Sequence, residues 1–397
     1  MAIANTPTNS GLLTQKLATV VALEVAKNAG FLKNGSKDYF SSQINGQMKA
    51  GRDYTFIIPD AGNVVMDDLK ATPKGIEESE VKLSLSMANN SVEYDALEAI
   101  TEIGNFEEEV ANRWATALIQ NVIKKEIKKA ALEASAAFIG KGFVPMAEAS
   151  AHLMSVTDEK LVGWIDPSLQ AVMATNGQQF MPCGSPNDLY AKGKLGTFQN
   201  VEYTAERFLN SVRVSEDVIE ALTGATASFA SGKLTVTLSK SATVPAGTPI
   251  MIDGVKVCDV LGMETDTDYA FIVREDVTGT SIVFDLDKLQ IRYADNGGRM
   301  VSGLEDLEDA PVYSFTEAGT YGRAYIRGAN AYNFSVAKDL DIRLSDKGSV
   351  GVVDGLRVSQ NAWTDGEYAK NMVRWDFVYC AGTVFPQNVV VAYVKKG

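Results

Sequence analysis

The sequence predicts an α+β protein assembled from distinct modules. Three observations lead there. Residues 50–95 hold two alternating stretches joined by a polar turn region. Residues 106–138 hold one long helical period, and residues 224–312 hold short strand patterns with almost no helical period. A chain of 397 residues is long enough for two or three modules.

The N-terminal arm, 1–49, contains "LLTQKLATVVALEVAKNAGF". Leu13, Leu17, Val20 or Val21, and Val25 fall at helical spacing, and Gly30 is the predicted stop. Lys16, Lys27, Lys33 and Lys37 stand against Glu24 and Asp38, so the arm is locally basic. Such a helix packs either on its own domain or on a neighbouring chain or acidic partner.

The next module, 50–95, reads as an extended β-hairpin. Tyr54, Phe56 and Ile58 alternate with Thr55 and Ile57, and Val81, Leu83, Leu85 and Met87 alternate with Lys82, Ser84 and Ser86. That is the period of a half-buried sheet. A lone two-stranded ribbon is marginal in water, and the sequence nearby offers little to cover an apolar face.

Residues 96–159 carry the strongest helical signal, "FEEEVANRWATALIQNVIKKEIKKAALEASAAF" (106–138). Asn105 is the predicted cap, glutamates crowd the first turn and lysines follow later, as the helix dipole favours. Val110, Trp114, Leu118 and Val122 form one apolar row, with Ile119, Ile123 and Ile127 beside it. In 160–223 the pattern mixes short elements: a strand and then a helix opened by Asp166-Pro167, and further helices at "SPNDLYAKG" and "SEDVIEALTG".

Residues 224–312 read as an all-β module. "KLTVTLS" alternates, Asp253-Gly254 is a hairpin signal, "YAFIVREDVTGTSIVFDLD" reads as a second hairpin and "LQIRY" as a further strand. This stretch holds 14 acidic against 7 basic residues, a net of −7 out of −13 for the chain. Mixed patterns on both sides make an insertion the better reading. In the closing stretch, 313–397, Val373, Trp375, Phe377 and Tyr379 share one face, Gly382-Thr383 reads as a turn, and "VVVAYV" (389–394) belongs in the middle of a sheet.

Chemistry is sparse. His152 is the one histidine, with no companion His or Cys nearby, and reads as a surface or core residue. Cys183, Cys258 and Cys380 give neither a disulfide framework nor a metal spacing. "GTYGRAYIRG" (319–328) lacks phosphate-loop spacing and reads as turns beside strands. The acidic groups 264–268, 305–309 and 339–348 do not match a calcium loop and read as solvated loops. No catalytic residue, cofactor site or metal site is predicted. The acidic balance argues against phosphate binding, and no run of about 20 apolar residues predicts a membrane span.

The order of modules resembles the major capsid (coat) protein of short-tailed bacteriophages, with an inserted immunoglobulin-like domain. The resemblance rests on that order and on local patterns such as "GTPIMIDGVKVCDV" (247–260), similar to the family's strand pair around an apolar-x-Gly-Val-Lys turn. The long polar loop that precedes "TVTLS" in the family is short here, "TGATASFASGK". The resemblance implies the tailed-phage major capsid fold: N-arm (1–49), extended loop (50–95), peripheral domain with spine helix (96–159), axial domain (160–223), inserted β-domain (224–312), and closing strands (313–397). It implies a non-enzymatic subunit without cofactors. Such subunits join head-to-tail into pentamers and hexamers of an icosahedral shell in the virion, assembled in the host bacterial cytoplasm. The implied partners are copies of itself, a scaffolding protein and a portal. The shell encloses double-stranded DNA without sequence-specific binding, and no membrane is involved. The ribbon's apolar side chains, Tyr54, Phe56, Ile58, Val81, Leu83 and Leu85, would then be buried on the next subunit. The competing readings are a β-rich virion or surface binding protein, a fibre or adhesin, and a hydrolase with an unrecognised acidic pair.

Overall fold

The computed structural model describes residues 7–40, 53–59, 78–95, 106–170, 194–293, 300–305, 307–336, 349–365 and 370–396. In chain order, the helices are α1 (Pro7–Asn28), α2 (Gly30–Lys33), α3 (Phe106–Leu132), α4 (Val144–Val156) and α5 (Glu216–Leu222). The strands begin with β1 (Asp53–Pro59), β2 (Glu78–Asp95), β3 (Ala136–Lys141), β4 (Leu161–Ile165), β5 (Lys194–Phe198), β6 (Val201–Ala205) and β7 (Val212–Val214). They continue with β8 (Thr226–Ala230), β9 (Lys233–Val244), β10 (Pro249–Cys258), β11 (Glu264–Ile272), β12 (Val277–Asp285), β13 (Val301–Ser302) and β14 (Ala310–Tyr313). The last are β15 (Gly319–Gly328), β16 (Tyr332–Val336), β17 (Ser349–Val353), β18 (Leu356–Asp365), β19 (Lys370–Thr383) and β20 (Val389–Lys395). The chain divides into two compact units. One comprises 1–55, 82–126 and 333–382, and the other 56–81, 127–332 and 383–397.

The first unit is organised on a sheet of order β1-β2-β19-β18-β17, with β16 also paired to β19. Strand β19 is antiparallel to both neighbours, from Lys370↔Asp95 to Cys380↔Leu85 on one side and Val358↔Phe377 to Asp365↔Lys370 on the other. Val373 and all of Trp375 to Ala381 are buried, so this central strand is covered on both faces and not on one alone. Helix α1 lies against β17 and β18. Its Ala18, Val21, Ala22 and Val25 are buried, so this part of the stripe is covered within the chain, while the side chains of Leu13 and Leu17 lie outside the described residues. Gly351 makes this possible, because a Cβ there would lie 2.0 Å from the Ala18 carbonyl oxygen. Gly30 does not stop the helix. The break is at Ala29, and Gly30 opens the short α2. Beyond it, Tyr39 N–H donates to Asn333 Oδ1 at 3.0 Å, and Phe334 N–H donates to the Lys37 carbonyl at 3.1 Å.

The second unit holds two sheets. One has the order β3-β20-β15-β4-β6-β5, with β7 on β15. Strand β20 sits between parallel β3 and antiparallel β15 and is buried on both faces, the interior position its unbroken apolar run calls for. Helix α4 packs on β20 and β3. "GTYGRAYIRG" is strand β15 itself, not turns. Its Gly322 takes the side chain of Leu169, whose nearest atom would lie 2.6 Å from a Cβ. The guanidinium of Arg327, fully buried, lies 4.2 Å over the Tyr332 ring and 4.5 Å over Trp164, aromatic faces that replace part of its lost hydration.

The other sheet contains every strand between Thr226 and Tyr313, in the order β11-β10-β14-β8-β9-β12, with β13 on β10. Three expectations are corrected here. Asp253-Gly254 does not join two paired strands. It lies inside β10, where the register against β11 slips between Met251↔Ala270 and Lys256↔Asp268, and Gly254 has φ +84°. The pair makes a bulge, and beyond it β10 exchanges β14 for β13 as neighbour. Strands β11 and β12 are not a hairpin, since they lie at opposite ends of the strand order. They meet through side chains instead, Phe271 and Phe284 having ring centroids 5.7 Å apart. "LQIRY" is not a strand, because Gln290 takes φ +55° and breaks the extension.

Helix α3 is also shorter than its pattern. It ends at Leu132, and residues 136–141 are strand β3. "AAF" continues the apolar run, but its sheet neighbour β20 decides its conformation. Gly382-Thr383 ends β19 rather than turning. Asp166-Pro167 starts a 3₁₀ turn, Pro167–Leu169, in which Asp166 Oδ1 accepts from Ser168 N–H at 2.9 Å. Asn105, "SPNDLYAKG" and the acidic group 339–348 lie outside the described residues.

Candidate functional site

The residues singled out by the sequence are those of the ribbon. Strand β2 is 18 residues long, and its registered pairing with β19 covers Leu85 to Asp95. The strand continues to Glu78, seven residues further, with β1 as its other neighbour in the sheet. At about 3.3 Å per residue that extension spans roughly 23 Å.

The same chain covers more of this ribbon than the sequence implies. Tyr54, Val81, Leu83 and Leu85 are all buried. Leu83 leans on Gly382, where an added Cβ would approach its Cδ2 to 2.5 Å. Tyr54 meets the ring of Phe40 edge-on at 6.3 Å. Arg292 donates from Nη2 to the carbonyl of Glu80. These four side chains are thus buried within the chain, where the sequence expectation placed their burial on a neighbouring subunit. The side chains of Phe56 and Ile58 lie outside the described residues.

Helix α3 braces the ribbon's root. Asn90 Nδ2 donates to the Trp114 carbonyl at 3.3 Å, and Lys125 Nζ donates to Ser86 Oγ at 3.2 Å. Eleven helical residues rise about 16 Å, and four strand residues about 13 Å, so helix and strand run alongside in opposite directions. Trp114 and Trp375 rings meet at 6.3 Å. Tyr379 Oη donates to the buried carboxylate of Glu126 at 3.0 Å. Burial, reinforced by that negative charge, pushes the Tyr379 hydroxyl well above its ordinary range. Trp375 Nε1 donates to Gln360 Oε1 at 2.9 Å, and Arg374 Nε to the buried Asp376 at 2.7 Å.

His152 is a core residue. Its Nδ1 lies 2.8 Å from Thr267 Oγ1, and its ring lies 5.8 Å from that of Phe138. Burial pulls its pKa down to about 4, so the imidazole is neutral at pH 7. This contact links α4 to β11, as do Ala270 N–H to the Ser135 carbonyl (2.8 Å) and Tyr393 Oη to the Gly247 carbonyl (2.8 Å) for other parts of the unit. Among the described residues no group of three His, Cys, Asp or Glu could hold a metal ion, and no helix is long and apolar enough to cross a membrane.

Sequence reasoning missed one exposed feature. The loop joining β10 to β11 carries Val260, Leu261 and Met263 in solvent, at 40, 59 and 63 % exposure. Its signal was the apolar run flanking Gly262, which resembles ordinary strand sequence.

No family model matches the sequence, and no curated protein matches it. Solved structures similar to the chain include one from Mycobacterium phage Che8, at 12% identity and TM-score 0.48, covering 90% of this chain and 89% of that one. The capsid structure of cyanophage P-SCSP1u is similar at 10% identity and TM-score 0.45, covering 88% and 86%. A virus-like particle from Pyrococcus furiosus is similar at 8% identity and TM-score 0.42, covering 96% and 98%.

Proposed function

We propose that this chain is a structural shell subunit, the major capsid protein of a short-tailed bacteriophage. The observation that supports it most is the braced ribbon. An 18-residue strand continues past its sheet register, and a 27-residue helix is laid back along its root. Such bracing keeps the root rigid, and in this reading the far end of the ribbon contacts a neighbouring subunit. A heterologous contact made by such a ribbon closes into rings when the rotation permits, and many modest contacts add up to a stable lattice. In this reading pentamers and hexamers tile an icosahedral head in the virion, assembled in the bacterial cytoplasm with a scaffolding protein and portal. The acidic balance of −13 suits a container that does not clamp its double-stranded DNA. The reading assigns no enzymatic activity to the chain.

The module boundaries belong to the same proposal, with 224–312 as an inserted immunoglobulin-like domain. The hydrogen bonds from β11 to His152 and Ser135 favour a stabilising role for it within its unit. Electron microscopy of the expressed chain, alone and with an internal scaffolding protein, tests the function. Shells or tubes of repeating subunits support it. Discrete trimers support the fibre or adhesin reading instead.

A further inference from the structure

The solvent side of helix α3 is basic, on a chain whose net charge is −13. Between 112 and 132 its charged residues are Arg113, Lys124, Lys125, Glu126, Lys128 and Lys129, and the one acid, Glu126, is buried. At about 100° per residue, Arg113, Lys124 and Lys128 fall within roughly 60° of one another around the helix. Arg113 and Lys124 are exposed and Lys128 is half-buried. Lys125 and Lys129 pair with Glu126 and Glu133, at 3.7 and 3.8 Å, whereas the three cations of the stripe have no carboxylate partner among the described residues. Elsewhere on the chain Lys33, Lys141, Lys160, Lys240 and Lys395 each pair with an acid. The helix dipole does not account for the stripe. It favours cations in the last turn, and the basic residue of that turn is Lys129.

We propose that this face of α3 binds the phosphate backbone of duplex DNA, an inference that rests on the shell reading above and names the surface that meets the enclosed DNA. Charge and the rest of the face select this occupant. Between the cations the stripe carries Ala117, Gln120 and Asn121, and among the described residues of α3 no large apolar side chain is exposed. A protein partner needs apolar or aromatic anchors at the centre of its interface, and a single strand needs exposed aromatic rings to stack on. Phosphates need only cations. From Arg113 to Lys128 the helix rises about 23 Å, a length over which duplex DNA carries roughly 13 phosphates. Long, flexible side chains let each cation find one of them without a fixed register. Three such contacts make binding weak, sequence-independent and sensitive to salt, so the shell touches its DNA without clamping it.

The test uses the full-length chain and a fluorescent duplex of mixed sequence, titrated by anisotropy from about 20 to about 200 mM NaCl. Lys124→Gln with Lys128→Gln should melt within about 2 °C of wild type, weaken duplex binding at least about fivefold, and lower the slope of log affinity against log salt by about 2. Lys160→Gln with Lys288→Gln makes the same change in net charge at two exposed, paired lysines, and should weaken binding less than about twofold. Equal weakening by the two double variants overturns the contact, because net charge alone would then explain it. Poly-glutamate bound as tightly as the duplex, and lost in the same variant, assigns the face to an acidic protein and also overturns it. Wild type that forms particles yet binds no duplex overturns the contact and leaves the shell reading standing. Wild type that forms no particles overturns the shell reading itself.

Discussion

Tyr379 donates its hydroxyl to Glu126 at 3.0 Å, and the carboxylate that accepts it is buried. This bond fixes α3 to β19 at the root of the ribbon. A buried donor that loses its acceptor bears its full desolvation cost. Glu126→Ala should therefore destabilise the chain by about 1–3 kcal/mol in urea unfolding, while Glu126→Gln, which keeps an acceptor, should lose less. Equal losses for both variants would assign the effect to the charge and not to the bond.

His152 makes stability depend on pH. Its folded pKa of about 4 lies below the unfolded value of 6.5. The unfolded chain thus binds the proton first. The contribution is fully present above pH 6.5 and is lost as pH falls from 6.5 towards 4. A shift of this size corresponds to something on the order of 3 kcal/mol. Urea unfolding at pH 4.5, 5.5 and 7 should show a shallower fall for His152→Gln than for wild type.

Gly351 admits the backbone of α1. A methyl group there would overlap the Ala18 carbonyl, so Gly351→Ala should displace α1 from β17. Limited proteolysis should cut the variant within 7–28 at a rate at least tenfold above wild type. Unchanged digestion would show that α1 does not need this approach.

The ribbon gives opposite predictions for two of its residues. Leu83 is buried against Gly382, so Leu83→Asp should place an unpaired carboxylate in the core and unfold the chain, at a cost of several kcal/mol. Phe56→Asp, under the proposed contact with a neighbour, should keep the circular dichroism and melting of wild type and stop assembly.

Much of this architecture was legible locally. The alternation of "KLTVTLS", the apolar run of "VVVAYV" and the period of α3 each record which face is buried, and burial is what side-chain type reports. Pairing partners were not legible. Asp253-Gly254 has hairpin chemistry, yet the same φ > 0 glycine serves a bulge where β10 changes neighbours. Strands β11 and β12 are separated by a four-residue connection, yet β10 and β9 claim them at opposite ends of the sheet order. The same limit applies to the ribbon. Alternation marks Val81, Leu83 and Leu85 as buried, but only the fold brings Cys380 beside Leu85 and Gly382 against Leu83, nearly 300 residues later.

Sedimentation velocity of the purified full-length chain over a wide concentration range tests the central claim most directly. Co-operative conversion from subunits to one large, uniform particle as concentration rises, with few intermediates, is the predicted result. A single 42.7 kDa species at every concentration, with or without a scaffolding protein, contradicts it.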